Sequence, residues 1–156
     1  MYFENLPLDQ AEHWLVTWGF EGEAFETLRS YAEEIRFPAR ATIVSQGDPS
    51  DGMYLVLEGM ALVFKTDAEG NEVTIGIVTE GQSFGELGLL IGQPRDATVA
   101  AGLDVRVLKI TQETVARLEK EKPELMLQMY KVLAQTLAEQ WTRVGPWADP
   151  NRRAKP

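Results

Sequence analysis

The chain has 156 residues, 15 Lys and Arg against 24 Asp and Glu, a formal net charge of −9, one His and no Cys. That length suits one domain with a proper core and is too short for two. Without Cys there is no disulfide scaffold, zinc ribbon or thiol nucleophile; one His cannot build a poly-histidine metal cage; and the acidic balance argues against a sequence-independent grip on nucleic acid, which needs a basic surface.

The start, Met1-Tyr2-Phe3-Glu4-Asn5-Leu6-Pro7, lacks the basic and apolar regions of a signal peptide. No apolar run approaches the ~18 residues of a membrane span, so a cytoplasmic protein without a membrane partner is expected. Residues 8–33 read as helical, with Leu8, Ala11, Trp14, Leu15 and Trp18 at helical spacing and a break at Gly19 and Gly22. The pattern resumes over residues 23–34, with Phe25, Leu28, Tyr31, Ala32 and Ile35 on one side.

From Arg36 the texture changes to short Val, Ile, Leu and Phe runs separated by Gly, Pro, Asp and Asn. Strands are expected at 36–37, 41–45, 53–58, 60–66, 72–78, 97–101 and 104–110. Gln46-Gly47-Asp48-Pro49-Ser50-Asp51-Gly52 is a turn cluster, and Asp67-Ala68-Glu69-Gly70-Asn71 joins two alternating runs as a hairpin. Helix returns with Thr111 as N-cap and runs to about Glu121; Pro123 then opens a longer helix carrying Leu125, Met126, Met129, Val132, Leu133, Leu137, Trp141 and Val144, stopped by Gly145-Pro146. The organisation is a helical segment over 1–35, a β-roll over 36–110, C-terminal helices over 111–145 and a loose tail over 146–156. The fold class is α+β, an antiparallel jelly-roll barrel with helices at both ends.

One stretch resists a pure packing explanation: Phe84-Gly85-Glu86-Leu87-Gly88-Leu89-Leu90-Ile91-Gly92-Gln93-Pro94-Arg95-Asp96-Ala97-Thr98-Val99. A short helix there would leave backbone N–H groups of Glu86, Leu87 and Gly88 at its open end, where anions bind. Arg95 adds two N–H donors suited to phosphate, and Glu86 can accept from hydroxyls. Those groups together describe a sugar-phosphate site; a Gly-rich turn with a surface Arg and Glu is the plainer alternative.

The stretch resembles the phosphate-binding cassette of cyclic nucleotide-binding domains. Phe84-Gly85-Glu86-Leu87-Gly88-Leu89-Leu90 and Pro94-Arg95, then Ala97-Thr98-Val99, carry the resemblance, and it extends to Gln46-Gly47-Asp48, to Met53-Tyr54-Leu55-Val56-Leu57-Glu58-Gly59, to the Asp67–Glu72 hairpin and to Glu80-Gly81-Gln82-Ser83, over about residues 23–145. It implies that Glu86 binds the ribose 2′-hydroxyl and that the amides of Gly85, Leu87 and Gly88, with Arg95 and the backbone N–H of Asp96, hold the cyclic phosphate. It further implies that Val63 and Ile75 line the base pocket. Ala97 stands where members preferring cGMP often carry Thr, which tilts the expected ligand to cAMP.

Asp96 departs from the family, which has Ala, Ser or Thr there. A carboxylate about 5 Å from the phosphate, at an effective dielectric near 20, costs roughly 3 kcal/mol, on the order of a hundredfold in affinity. Two arrangements avoid that: the side chain points to solvent while its N–H faces the phosphate, or it pairs with Arg95 and swings away on binding. Two roles are open for the 123–144 helix: packing on its own domain, or pairing with its twin in a homodimer or covering the ligand, with Trp141 or Tyr130 on the base.

His13 lies outside the strand region and has no partners for a metal site, a cupin centre or a Ser-His-Asp set. The expectation is therefore a non-enzyme without cofactor or metal. It would be a stand-alone sensor that binds a cyclic nucleotide and passes the signal to an unknown effector protein. Only residues 145–156 follow the long helix, too few for a helix-turn-helix, so no DNA partner is expected. The alternative is a degenerate domain serving protein interaction or dimerisation.

Overall fold

The structure, a computed structural model, describes Phe20 and residues 22–144, with side chains as far as residue 140. Helix α1 (Glu23–Tyr31) precedes six strands: β1 (Glu33–Phe37), β2 (Thr42–Val44), β3 (Gly52–Glu58), β4 (Met60–Thr66), β5 (Glu72–Thr79) and β6 (Ser83–Phe84). Helix α2 (Glu86–Ile91) follows, then β7 (Thr98–Ala101), β8 (Val105–Thr111), α3 (Gln112–Glu121) and α4 (Pro123–Val144). The strands form two antiparallel four-stranded sheets, β1-β8-β3-β6 and β2-β7-β4-β5. The sheets pack face to face in the expected jelly-roll arrangement but are not closed into one barrel by hydrogen bonds.

Two apolar cores follow from strand alternation. In β3, Tyr54 and Val56 face the inter-sheet core with Val63, Val99 and Val107, while Met53 and Leu55 face the helices with Leu28, Leu118, Met126 and Met129. In β8, Val105 and Val107 face inward and Leu108 and Ile110 face the helices. Both strands are thus buried on both faces, which is why they read as continuous apolar runs. On α4, Met126, Met129, Val132 and Leu133 are buried in the helix-side core. These four of the apolar residues expected along the helix therefore pack on its own domain.

The structure corrects the helix expected over 8–33. Its part before residue 20, including His13, lies outside the described residues. Helix α1 ends at Tyr31, and Glu33, Glu34 and Ile35 belong to β1, paired with Lys109, Leu108 and Val107. Local helical spacing yields here to a long-range ladder that no neighbouring residue announces. The two-residue β6, pairing Phe84 with Tyr54 and Ser83 with Leu55, was also not expected, being too short to show alternation. The other strands match within a residue or two.

The 67–71 hairpin forms as expected. The Asp67 carboxylate accepts from the N–H groups of Glu69 (3.0 Å) and Asn71 (2.8 Å), and these bonds, that of Asn71 foremost, hold its carboxyl below the usual carboxylate range. Thr111 is the N-cap of α3, its hydroxyl accepting from the Thr114 N–H at 3.1 Å. Replacing Thr111 by Ala is expected to cost about 1 kcal/mol and lower the unfolding midpoint by about 2–4 °C in calorimetry.

Candidate functional site

A cleft opens at the edge of the inter-sheet core, lined by Val44, Val63, Ile75, Phe84, Gly85, Arg95, Asp96, Ala97 and Val99. Val63 from β4 and Ile75 from β5 reach it because alternation turns both inward, and Ala97 is buried against them. Gly85, Arg95 and Asp96 supply the polar end. Glu86, Leu87 and Gly88 form the first turn of α2 directly after Gly85; Glu86 is fully buried and Leu87 half-buried. The structure thus brings together the residues singled out from the sequence, while Val44, Phe84 and Val99 complete the wall.

Arg95 enters this site from a loop held on both sides by backbone bonds. Its N–H donates to the Asp48 carbonyl at 2.9 Å, and its carbonyl accepts from the Gly47 N–H at 2.8 Å. The Gln46-Gly47-Asp48 turn is itself tied down: the Gln46 N–H donates to Thr98 Oγ1 (3.0 Å) and the Thr66 N–H to Gln46 Oε1 (2.8 Å). The turn cluster that reads in sequence as a connection is therefore the clamp that aims Arg95.

The Arg95 side chain is only 8% exposed. Its guanidinium carbon lies 5.7 Å from the centre of the Tyr54 ring, and Tyr54 stacks on Phe84 with centroids 5.1 Å apart. Its Nη1 lies against the backbone at the start of α2. A Cβ on Gly85, whose φ is +85°, would run into Nη1, and one on Gly88 would come within 3.4 Å of it and collide with the Ser50 side chain. Glycine at both positions lets the guanidinium and the chain approach this closely.

Glu86 lies within the electrostatic reach of Arg95. Its Oε1 accepts from the Ser83 hydroxyl at 2.6 Å, while its Oε2 and Arg95 Nη1 are buried side-chain atoms without a hydrogen-bond partner. Burial pushes the Glu86 carboxyl above its usual range; the Ser83 hydrogen bond and the charge of Arg95 act against this, and Asp96 adds to it. Asp96, next to Arg95 in the chain, is exposed. Ser83 and the Gly47–Asp48 clamp were not read as site elements; Ser83, three residues before Glu86, carried a spacing signal, but the clamp carried none.

Burying two oppositely charged groups and leaving one polar atom of each unpaired is costly unless a third group completes them. Residues 34–122, more than half of the chain, match the sequence profile of the cyclic nucleotide-binding domain. The chain belongs to that family. Similar relatives include the cAMP-dependent protein kinase regulatory subunit of Aspergillus niger, 40% identical over 86 residues that make up 55% of this chain and 20% of that protein. The cAMP-activated global transcriptional regulator of Salmonella typhimurium is 27% identical over 121 residues, 77% of this chain and 58% of that one. The crystal structure of the Thermus thermophilus catabolite activator protein matches with a TM-score of 0.69 at 27% identity, covering 84% of this chain and 61% of that one. This chain spans a fifth to just over half of the curated relatives named here.

Tyr130 is not at the cleft: its hydroxyl donates to Glu119 Oε1 at 2.5 Å, which raises its pKa to about 12. The Trp141 side chain lies outside the described residues. Among the described residues there is no cluster of three or more His, Asp or Glu that could hold a metal, and no helix long and apolar enough to cross a membrane.

Proposed function

We propose that this domain binds cAMP reversibly and acts as a regulatory sensor in the cytoplasm, without cofactor or catalysis of its own. One observation carries the reading: Glu86 Oε2 and Arg95 Nη1, a buried acceptor and a buried donor, both lack partners in one site. A cyclic nucleotide offers both at once, a ribose hydroxyl for Glu86 and an anionic phosphate oxygen for Arg95. The backbone N–H groups of Gly85, Leu87, Gly88 and Asp96 complete the phosphate cradle, and Val63 and Ile75 face the base. Ala97 presents only a methyl group, which favours adenine over guanine by offering the latter no hydrogen bond.

The cleft encloses about 40 Å³, whereas small-molecule sites usually begin near ~300 Å³. Admitting a nucleotide therefore requires its walls to move. Helix α2 is the wall best placed to transmit that motion. Its Leu89 packs in the helix-side core with Leu118, Met126 and Met129, and the Leu89 carbonyl accepts from Gln112 Nε2 at 3.3 Å. Ligand biases α3 and α4 by its differential affinity for the two positions of α2. The effector is a separate protein or a further segment. A homodimer through the 123–144 helix has to use the face away from the core, where Leu127 is 57% exposed.

Calorimetric titration with cAMP is expected to give saturable one-site heat, with weaker binding of cGMP. Absence of heat at millimolar ligand overturns the reading. The tight cleft favours the second reading, a domain used only for protein contact; a partner pull-down indifferent to cAMP and to Glu86→Ala supports that one instead.

A further inference from the structure

A carboxylate has two oxygens, and a ribose hydroxyl needs one of them held in a fixed direction. The last torsion of a glutamate is broad and roughly two-fold, so burial alone does not decide which oxygen Glu86 presents. Ser83 decides it. The Ser83 hydroxyl donates to Glu86 Oε1 at 2.6 Å, both side chains are buried, and Oε2 is left without a partner. The charge of Arg95 acts on the same carboxylate, so the hydroxyl also holds it against that pull.

Ser83 can do this because its own place is fixed from both sides. Strand β6 pairs Ser83 with Leu55 and Phe84 with Tyr54 of β3. The turn before it is tied down: the Gly81 N–H donates to the Val56 carbonyl at 2.8 Å, the Val56 N–H to the Gln82 carbonyl at 2.9 Å, and the Thr79 N–H to Gln82 Oε1 at 2.9 Å. After it, Gly85 at a φ of +85° turns the chain into α2, and Glu86 reaches back three residues to Ser83. The two residues of β6 therefore carry the hydroxyl on a paired strand, which holds a group more firmly than a loop does.

We propose that Ser83 is a positioning residue for the ligand: by occupying Oε1 it makes the buried carboxylate present Oε2 alone to the ribose 2′-hydroxyl, and so sets the preference for ribonucleotides over 2′-deoxyribonucleotides. The inference rests on the cyclic-nucleotide reading above. A site built to bond a hydroxyl rejects the ligand that lacks it, because its buried acceptor then stays unpaired. That rejection is as strong as the aim of the acceptor is firm. Without the Ser83 hydroxyl the carboxylate loses its tie and is free to turn, which costs the ribonucleotide its contact and costs the 2′-deoxyribonucleotide nothing there.

The test is calorimetry of the full chain, wild type and Ser83→Ala, with cAMP and with 2′-deoxy-cAMP, the weaker ligand measured by competition. The wild type is expected to bind 2′-deoxy-cAMP about ten- to a hundredfold more weakly than cAMP. Ser83→Ala is expected to weaken cAMP about tenfold and 2′-deoxy-cAMP by less than about twofold, so the preference for ribose narrows at least about fivefold. A general loosening of the domain weakens both ligands alike, so the ratio separates positioning from stability. Equal losses for the two ligands, or no loss for either, overturn the positioning role alone. A wild type that binds both ligands equally removes Glu86 from the ribose, and the positioning with it. A wild type that binds no cAMP overturns the cyclic-nucleotide reading itself.

Discussion

Arg95→Ala is expected to weaken cAMP binding about a hundredfold or more while leaving the fold intact. The side chain brings a buried guanidinium against Gly85 and Gly88, with Nη1 unpaired and the backbone on either side clamped by Gly47 and Asp48. Loss of a buried charge-assisted contact to an anion is worth about 3 kcal/mol, which is about a hundredfold in the dissociation constant. Stability responds differently. Truncation gives up the contact with Tyr54 but also removes a buried donor that has no acceptor, so the unfolding midpoint is expected to move by only a few degrees. Calorimetric titration beside thermal unfolding separates the two effects. Equal dissociation constants for Arg95→Ala and wild type would remove Arg95 from the site.

The second large effect has opposite signs in two measurements. Glu86→Gln is expected to weaken cAMP binding about ten- to a hundredfold, the worth of a charge-assisted hydrogen bond to the ribose. The same change is expected to raise the unfolding midpoint at neutral pH by about 3–6 °C. Burial dominates the environment of Glu86 and holds its carboxyl above the unfolded value of 4.5, with the attraction of Arg95 already included. A group raised in this way contributes its full stability below pH 4.5 and loses it as pH rises through the folded value. At neutral pH the wild type has therefore lost stability that it holds below pH 4.5, and glutamine, which does not ionise, loses none.

The advantage of Glu86→Gln should shrink as pH falls toward 4.5. Glu34 and Asp67, whose carboxyls are held low by Arg106 and by the Asn71 N–H respectively, lose stability only below their unfolded values of 4.5 and 3.8. They do so equally in both proteins and cancel in the difference. A midpoint difference that stays constant with pH would show that folding does not raise the Glu86 carboxyl. The same residue that serves the ligand thus strains the domain without it, the usual relation between a binding group and stability.

Much of this site was legible because its parts lie close together in the chain. Phe84 to Val99 contains Gly85, Glu86, Gly88 and Arg95 in one run, and each residue type advertises its chemistry: two glycines for close approach, a carboxylate for hydroxyls, a guanidinium for an anion. Val63 and Ile75 were legible as inward-facing residues because strand alternation is a local property. Thr111 as a cap and Asp67 as a turn residue were legible because their hydrogen bonds close within three or four residues.

What escaped lies at the far end of long-range contacts. The backbone bonds from Gly47 and Asp48 to Arg95 span nearly fifty residues, and nothing in a turn-forming sequence says what the turn will grip. Residues 33–35 look helical by spacing and become a strand because β8 offers a ladder from more than seventy residues away.

By itself, then, the sequence determined most of the elements, which side chains of the longer strands face inward and which groups can meet a sugar and a phosphate, since these depend on residue type and near neighbours. Tertiary structure alone decided that Glu86 is buried beyond the reach of water, that one oxygen of it and one nitrogen of Arg95 go unpaired, and that Asp96 lines the cleft while staying exposed. Burial and pairing depend on which distant segments pack over a group, and the charge balance of the cleft follows from that packing.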